Sequence, residues 1–149
     1  MFIKQFSKND CVPIQFMNAL RYLYKDELIP YRAIEAIYRN SFDIDGGTSL
    51  FGVEHIANLL NVYLTPQIDI SICEVKKRFK QLLIRALNYG GITLLIRQFK
   101  TYHVLLAYKV LNNKATVFDS ATKLKEQTYD IDKLLEKTAL MVLFTKENI

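Results

Sequence analysis

Cys11, His103 and Asp119 are the residues of this 149-residue chain whose types and spacing can carry covalent chemistry. A thiolate attacks carbonyl carbon, an imidazole takes and returns the thiol proton, and a carboxylate behind the ring fixes its tautomer. Cys11 falls where a loop gives way to a helix, so unpaired N–H groups and the positive end of the helix dipole favour a thiolate there. Asp10 beside it works the other way, since a neighbouring negative charge disfavours ionisation. His103 opens the apolar run Val104-Leu105-Leu106-Ala107, a rigid mount for a base, while the other histidine, His55, sits among Val53, Ile56 and Leu59 and reads as structural or surface. Asp119 follows Val117 and Phe118. Gln5 supplies a side-chain amide that can donate to the oxyanion of a tetrahedral intermediate, together with the backbone N–H of Cys11. Each residue alone also fits a plain role: a buried cysteine, a core histidine, a turn carboxylate over Ser120 to Thr122, an ordinary glutamine near a terminus.

The elements that must position these groups follow from periodicity. Ile14, Met17, Leu20 and Tyr24 recur at helical spacing and predict a helix over about 11–24, with Asn9 or Asp10 as cap and Pro13 tolerated in the first turn. Pro30 opens a second helix over Tyr31 to Tyr38. Asp43 through Thr48 reads as a Gly-rich turn, and Val53, Ile56, Ala57 and Leu60 mark a third helix. A fourth is expected near Cys73 to Leu87, stopped at Asn88-Tyr89-Gly90-Gly91. The pattern then changes to short runs rich in β-branched and aromatic residues, Ile92 to Ile96, His103 to Val110 and Ala115 to Phe118, which predict strands. Asp130 to Glu136 reads as a short capped helix and Ala139 to Phe144 as a last strand. Helices first and strands afterwards predict an α+β fold, with N-terminal helices packed on a small antiparallel sheet, in one domain spanning 1–149.

Asn112-Asn113 predicts a tight hairpin turn, and the midpoint between positions 103 and 119 is 111, beside it. The hairpin therefore returns Asp119 towards the level of His103. A strict two-residue turn, however, places Thr122 opposite His103 and turns Asp119 to the other sheet face. Bringing His103 and Asp119 together requires a wider loop, a bulge or a bend before Asp119.

Half the residues are hydrophobic and 23% are charged, enough for a sizeable core and unlike a disordered chain. The net charge of +5 is spread out, apart from Lys76, Lys77, Arg78 and Lys80, which read as a solvated helix face, so no nucleic-acid partner is expected. Two cysteines do not make a disulfide scaffold, and two His with two Cys show no metal-ligand spacing, so neither metal nor cofactor is expected. No secretory leader and no run of about 20 apolar residues is read, which predicts a cytoplasmic protein without a transmembrane segment.

Taken together, Gln5-Phe6-Ser7-Lys8-Asn9-Asp10-Cys11, Gly47-Thr48-Ser49-Leu50-Phe51-Gly52-Val53, His103-Val104-Leu105-Leu106 and Phe118-Asp119-Ser120 resemble peptidase family C39, the bacteriocin-processing double-glycine peptidases, and its stand-alone relatives. The resemblance spans most of the chain and implies a papain-like fold with Cys11, His103 and Asp119 as catalytic triad and Gln5 in the oxyanion hole. It departs at Val12, where the family usually has Gly, and at Ser120, where Pro is common. The implied activity is hydrolysis of a peptide or protein substrate through a thioester, with cleavage after a Gly-Gly leader as the narrower expectation. Gly46-Gly47 and Gly90-Gly91 read as turns, not as cleavage sites. Two other readings stay open: an acyltransferase or amidase on the same triad, and a binding module that keeps the fold without turnover.

Overall fold

A computed structural model of the chain describes residues 2–7, 10–41, 48–98, 102–121 and 126–146. Three helices come first: α1 (Cys11–Tyr24), α2 (Tyr31–Arg39) and α3 (Leu50–Leu64). Then follow β1 (Ile68–Cys73), a 3-10 turn at Lys76–Arg78, α4 (Phe79–Asn88), β2 (Ile92–Gln98), β3 (Tyr102–Leu111), β4 (Lys114–Asp119), β5 (Gln127–Asp130), α5 (Ile131–Glu136) and β6 (Thr138–Lys146). The strands form one sheet in the order β1-β6-β2-β3-β4-β5, every neighbouring pair antiparallel. Helices packed against an antiparallel sheet are what the α+β reading predicts. Among the described residues, no helix is long and apolar enough to cross a membrane.

The central strands bury both faces, which is why they read as continuous apolar runs and not as alternating ones. Ile92, Leu94 and Ile96 of β2, Val104 and Leu106 of β3, and Leu140, Val142 and Phe144 of β6 pack with α1, α2 and α3. Their odd or even neighbours Leu95, Leu105, Ala107, Met141 and Leu143 pack with Phe79, Leu83, Leu134 and Leu135 of α4 and α5 on the other face. A side chain such as Phe16 or Leu83, fully enclosed in one of these layers, contributes about 2–3 kcal/mol by removal from water. Ser49 caps α3 by accepting the Gly52 N–H, so the Thr48-to-Val53 part of the glycine-serine motif builds a helix start. Asp130 caps α5 through the N–H groups of Asp132 and Lys133.

Three expectations are corrected. Cys73 ends strand β1 and is not the start of the fourth helix, which begins at Phe79. Ile68, Ile70 and Ile72 alternate with Asp69 and Ser71 at the two-residue period of a strand, which carries through to Cys73. Strand β5 was not expected at all, being four residues with a mostly polar sequence. Asp10 stands at the N-cap of α1 but makes no side-chain cap bond. Its carboxylate instead accepts the backbone N–H groups of Phe6, at 2.7 Å, and Ser7, at 2.9 Å. Asn9, the turn from Asp43 to Gly47 and Thr122 lie outside the described residues. Of the basic cluster, Lys76 donates to the Glu136 carbonyl and Lys80 pairs with Asp132, tying α4 and the turn before it to α5.

The β3–β4 hairpin positions the site. Asn112 and Asn113 both have positive φ, 50° and 62°, the left-handed pair of a type I′ turn. From the turn the pairing runs Leu111 with Lys114, Val110 with Ala115 and Lys109 with Thr116, then shifts by one residue so that Ala107 faces Val117 and Leu105 faces Asp119. The extra residue is Tyr108, on β3. The irregularity required to align His103 with Asp119 is thus a bulge in the strand that carries the histidine.

Gly91 follows the end of α4, and a Cβ there would stand 2.5 Å from the Phe144 carbonyl and 2.8 Å from that of Ala86. A Cβ on Gly90 would meet nothing within 4 Å, so only its positive φ of 79° resists substitution. Gly91→Ala therefore lowers stability by about 2–3 kcal/mol through backbone overpacking. Gly90→Ala lowers it by only about 1 kcal/mol through left-handed strain. Urea unfolding midpoints of the two variants check the order.

Candidate active site

Cys11 is the first residue of α1, 8% exposed, at the end of the helix where backbone N–H groups lack helical partners. His103 lies in the second position of β3 and Asp119 at the end of β4. Leu105 faces Asp119 directly, so His103, two residues before Leu105, is on the same sheet face as Asp119 and diagonal to it. Nε2–H of His103 donates to Oδ1 of Asp119 at 2.7 Å. The same oxygen accepts the backbone N–H of Ala121 at 3.0 Å, which anchors the carboxylate from behind. The Cys11 side chain is the second group near enough to the ring to help hold its proton. With Nε2 committed to Asp119, Nδ1 is the nitrogen left for the thiol. Side-chain exposure falls from 29% at His103 to 16% at Asp119, so the ring can be reached while its partner is shielded.

Charge follows this order. The hydrogen bond to Asp119 comes first and the one to Cys11 second in holding the proton on His103; burial opposes them, and the ring is raised from 6.5 to about 9. Burial pushes the Asp119 carboxyl up, but the bond to His103, the Ala121 N–H and the charges of His103 and Arg97 outweigh it and hold the group below the usual carboxylate value.

Gln5 is half-buried and linked to the strand that bears Asp119. Its backbone N–H donates to the Ser120 carbonyl at 3.0 Å, its Oε1 accepts the Ser120 hydroxyl at 2.8 Å, and its Nε2 donates to the Ser7 carbonyl at 2.7 Å. Ser120, a departure from the resembled pattern, is thus a buried anchor for this segment. Val12, the other departure, is enclosed in the core with Phe16 and Ile96. His55 is exposed on α3. Cys73 is buried in β1, with its Sγ 3.7 Å from the Val75 carbonyl. Among the described residues no cluster of three or more His, Cys, Asp or Glu can hold a metal ion.

Two residues near the site escape a reading of the sequence. Arg97 pairs across β2–β3 with His103, and its charge reaches Asp119. Gln15, completely buried in α1, donates to the carbonyls of Val104 and Phe118. The only sequence signals were a charge at the end of an apolar strand and an amide on the apolar face of a helix.

No protein-family model matches the chain, and no curated protein matches it in sequence. Solved structures do match its fold. The peptidase domain of Streptococcus ComA, a bi-functional ABC transporter involved in a quorum sensing pathway, aligns over 97% of both chains with 14% identity and a TM-score of 0.63. A candidate C39-like peptidase from Bacillus anthracis aligns over 100% of this chain and 96% of its own, with 10% identity and a TM-score of 0.69. A double glycine motif protease from an AMS/PCAT transporter, solved with the leader peptide, aligns over 99% and 91% with 11% identity and a TM-score of 0.61. The chain therefore has the papain-like fold of the C39 peptidase domains.

The folded protein holds the His103 proton more tightly than the unfolded chain does. With Asp119 ionised, the stabilisation from the raised His103 is complete below about pH 6.5 and is lost as pH rises through about 9. An NMR titration of the ring should show its midpoint near 9, falling towards 6.5 in Asp119→Asn, and wild-type stability should decline over the same window. A wild-type midpoint at the ordinary value contradicts the pairing.

Proposed function

We propose that the chain is a cysteine peptidase that cleaves a peptide bond through a Cys11–His103–Asp119 triad and a thioester intermediate. The observation that carries the proposal is the His103 ring held between two partners, with Asp119 2.7 Å from Nε2 and the Cys11 thiol at the head of α1. The likeness in fold to C39 peptidase domains supports the same reading.

The proton shared by Cys11 and His103 rests on the ring, which holds it up to about pH 9, and the sulfur forms a bond to the carbonyl carbon of the substrate. The carbonyl oxygen becomes an oxyanion, stabilised by the backbone N–H of Cys11 and by the Gln5 Nε2 hydrogen not given to Ser7. Collapse breaks the C–N bond, and the leaving amine takes the proton from His103. A water molecule then gives its proton to the ring and attacks the thioester, releasing the acid and restoring the thiol. Asp119 stays ionised throughout and holds the ring with Nδ1 towards the sulfur. A peptide substrate is consistent with the leader peptide bound by the AMS/PCAT relative in fold, and a leader ending in Gly-Gly is the first substrate to try.

Cys11→Ala and His103→Ala should each lower kcat/KM for a cleaved peptide by at least roughly a thousandfold. Asp119→Asn should lose on the order of a hundredfold and keep measurable turnover. Wild-type kcat/KM should fall as pH rises past about 9, where His103 loses its proton, and this limb should move to lower pH in Asp119→Asn. Mass spectrometry should find the acyl group on Cys11 and not on Cys73. Acyl-enzyme that forms but passes only to added amines would assign the triad to acyl transfer. Absence of any Cys11 adduct across peptides with and without Gly-Gly would sink the enzymatic reading.

A further inference from the structure

Gln15 is a fully buried amide with every hydrogen-bonding group engaged. Its Nε2 donates to the Val104 carbonyl at 3.2 Å and to the Phe118 carbonyl at 2.9 Å, and its Oε1 accepts Nδ2 of Asn18 at 3.2 Å. Val104 immediately follows His103, and Phe118 immediately precedes Asp119. Gln15 itself stands four residues after Cys11, one helical turn along the same face of α1. One planar amide thus joins the helix that presents the thiol to the backbone next to the base and next to the acid.

The connection continues. Asn18, also fully buried, donates to the Ile3 carbonyl at 2.8 Å and accepts the Ile3 N–H at 2.7 Å. Two residues on, Gln5 bonds Ser120 twice, and Ser120 follows Asp119. The bonds close a circuit from Gln15 through Phe118, Asp119, Ser120, Gln5, Ile3 and Asn18 back to Gln15. Packing alone would serve α1 better with Leu or Met at position 15, because burying an amide costs free energy unless each group finds a partner. The partners it finds are the two carbonyls that flank His103 and Asp119 in sequence.

We infer that Gln15 is a positioning residue of the active site, fixing α1 against β3 and β4 so that the Cys11 thiol and the His103–Asp119 pair keep their mutual distance. The inference rests on the peptidase reading for its consequence in turnover. Its geometric part is testable without substrate. Gln15 touches no reacting atom in this scheme and acts through the backbone of its neighbours.

The test compares Gln15→Met, which keeps the volume and removes both donors, with Leu83→Ala, a core truncation in α4 on the opposite side of the sheet. Three quantities are read: steady-state kinetics on a cleaved peptide, the NMR titration midpoint of His103, and thermal stability. Positioning predicts that Gln15→Met loses on the order of a hundredfold in kcat with KM little changed. The His103 midpoint should move from near 9 towards 6.5, while Leu83→Ala, though destabilised, keeps wild-type kcat and midpoint. If Gln15→Met does not fold, Gln15→Asn is read in the same way, since it retains the amide but is one methylene too short to span both carbonyls. A foldable Gln15 variant that keeps wild-type kcat and midpoint overturns the inference. If wild type cleaves no peptide, the peptidase reading fails, but a midpoint that moves in the Gln15 variant and not in Leu83→Ala still upholds the positioning role.

Discussion

The site depends on one extra residue in β3. A side chain's face in a sheet is set by parity, so a regular ladder from the Asn112-Asn113 turn would pair Asp119 with Leu106 and direct it away from His103's face. The bulge at Tyr108 absorbs one residue, pairs Asp119 with Leu105 and restores the parity. Its effect is visible in the core as well. Ala107 and Val110, three positions apart, pack against the same hydrophobic layer, which a straight strand does not allow. Arg97 on β2, facing His103 across the ladder, completes a row of imidazole, carboxylate and guanidinium over three neighbouring strands.

Once that row exists, α1 has to bring the thiol to it, and the two buried amides make that docking directional. Apolar packing between α1 and the sheet tolerates small slides, whereas two carbonyls and one planar amide define a single seat. Asp10, next to Cys11, satisfies the Phe6 and Ser7 N–H groups and so ties the Gln5 segment to the helix start. The negative charge beside Cys11 is thereby given two donors. Hydrogen bonding, more than net charge, organises the site.

Much of this was legible in the sequence. Helical spacing located α1 and α3, Pro30 and a capped start at Asp130 marked α2 and α5, β-branched and aromatic runs gave the strands around His103 and Asp119, and paired asparagines marked the hairpin. The need for an irregular strand followed from counting residues back from the turn. What stayed hidden has physical causes. Strand β1 is a six-residue edge strand directly before a helix, and β5 is four mostly polar residues held by pairing with β4. The strand holding the bulge could not be known, because parity is restored equally by an insertion on either side of the ladder. Gln15 matters through carbonyls 89 and 103 residues away and Arg97 through a partner across the ladder, and neither relation is written in local pattern.

The central claim is that Cys11 is a nucleophile activated by His103. The most direct measurement is the alkylation rate of each cysteine by a small neutral electrophile at neutral pH, resolved by peptide mass spectrometry, in wild type and in His103→Ala. The account predicts that Cys11 reacts many times faster than Cys73 in the folded wild type and loses this advantage in His103→Ala with the fold intact. Equal rates for the two cysteines in wild type, or a Cys11 rate untouched by removal of the imidazole, would contradict it.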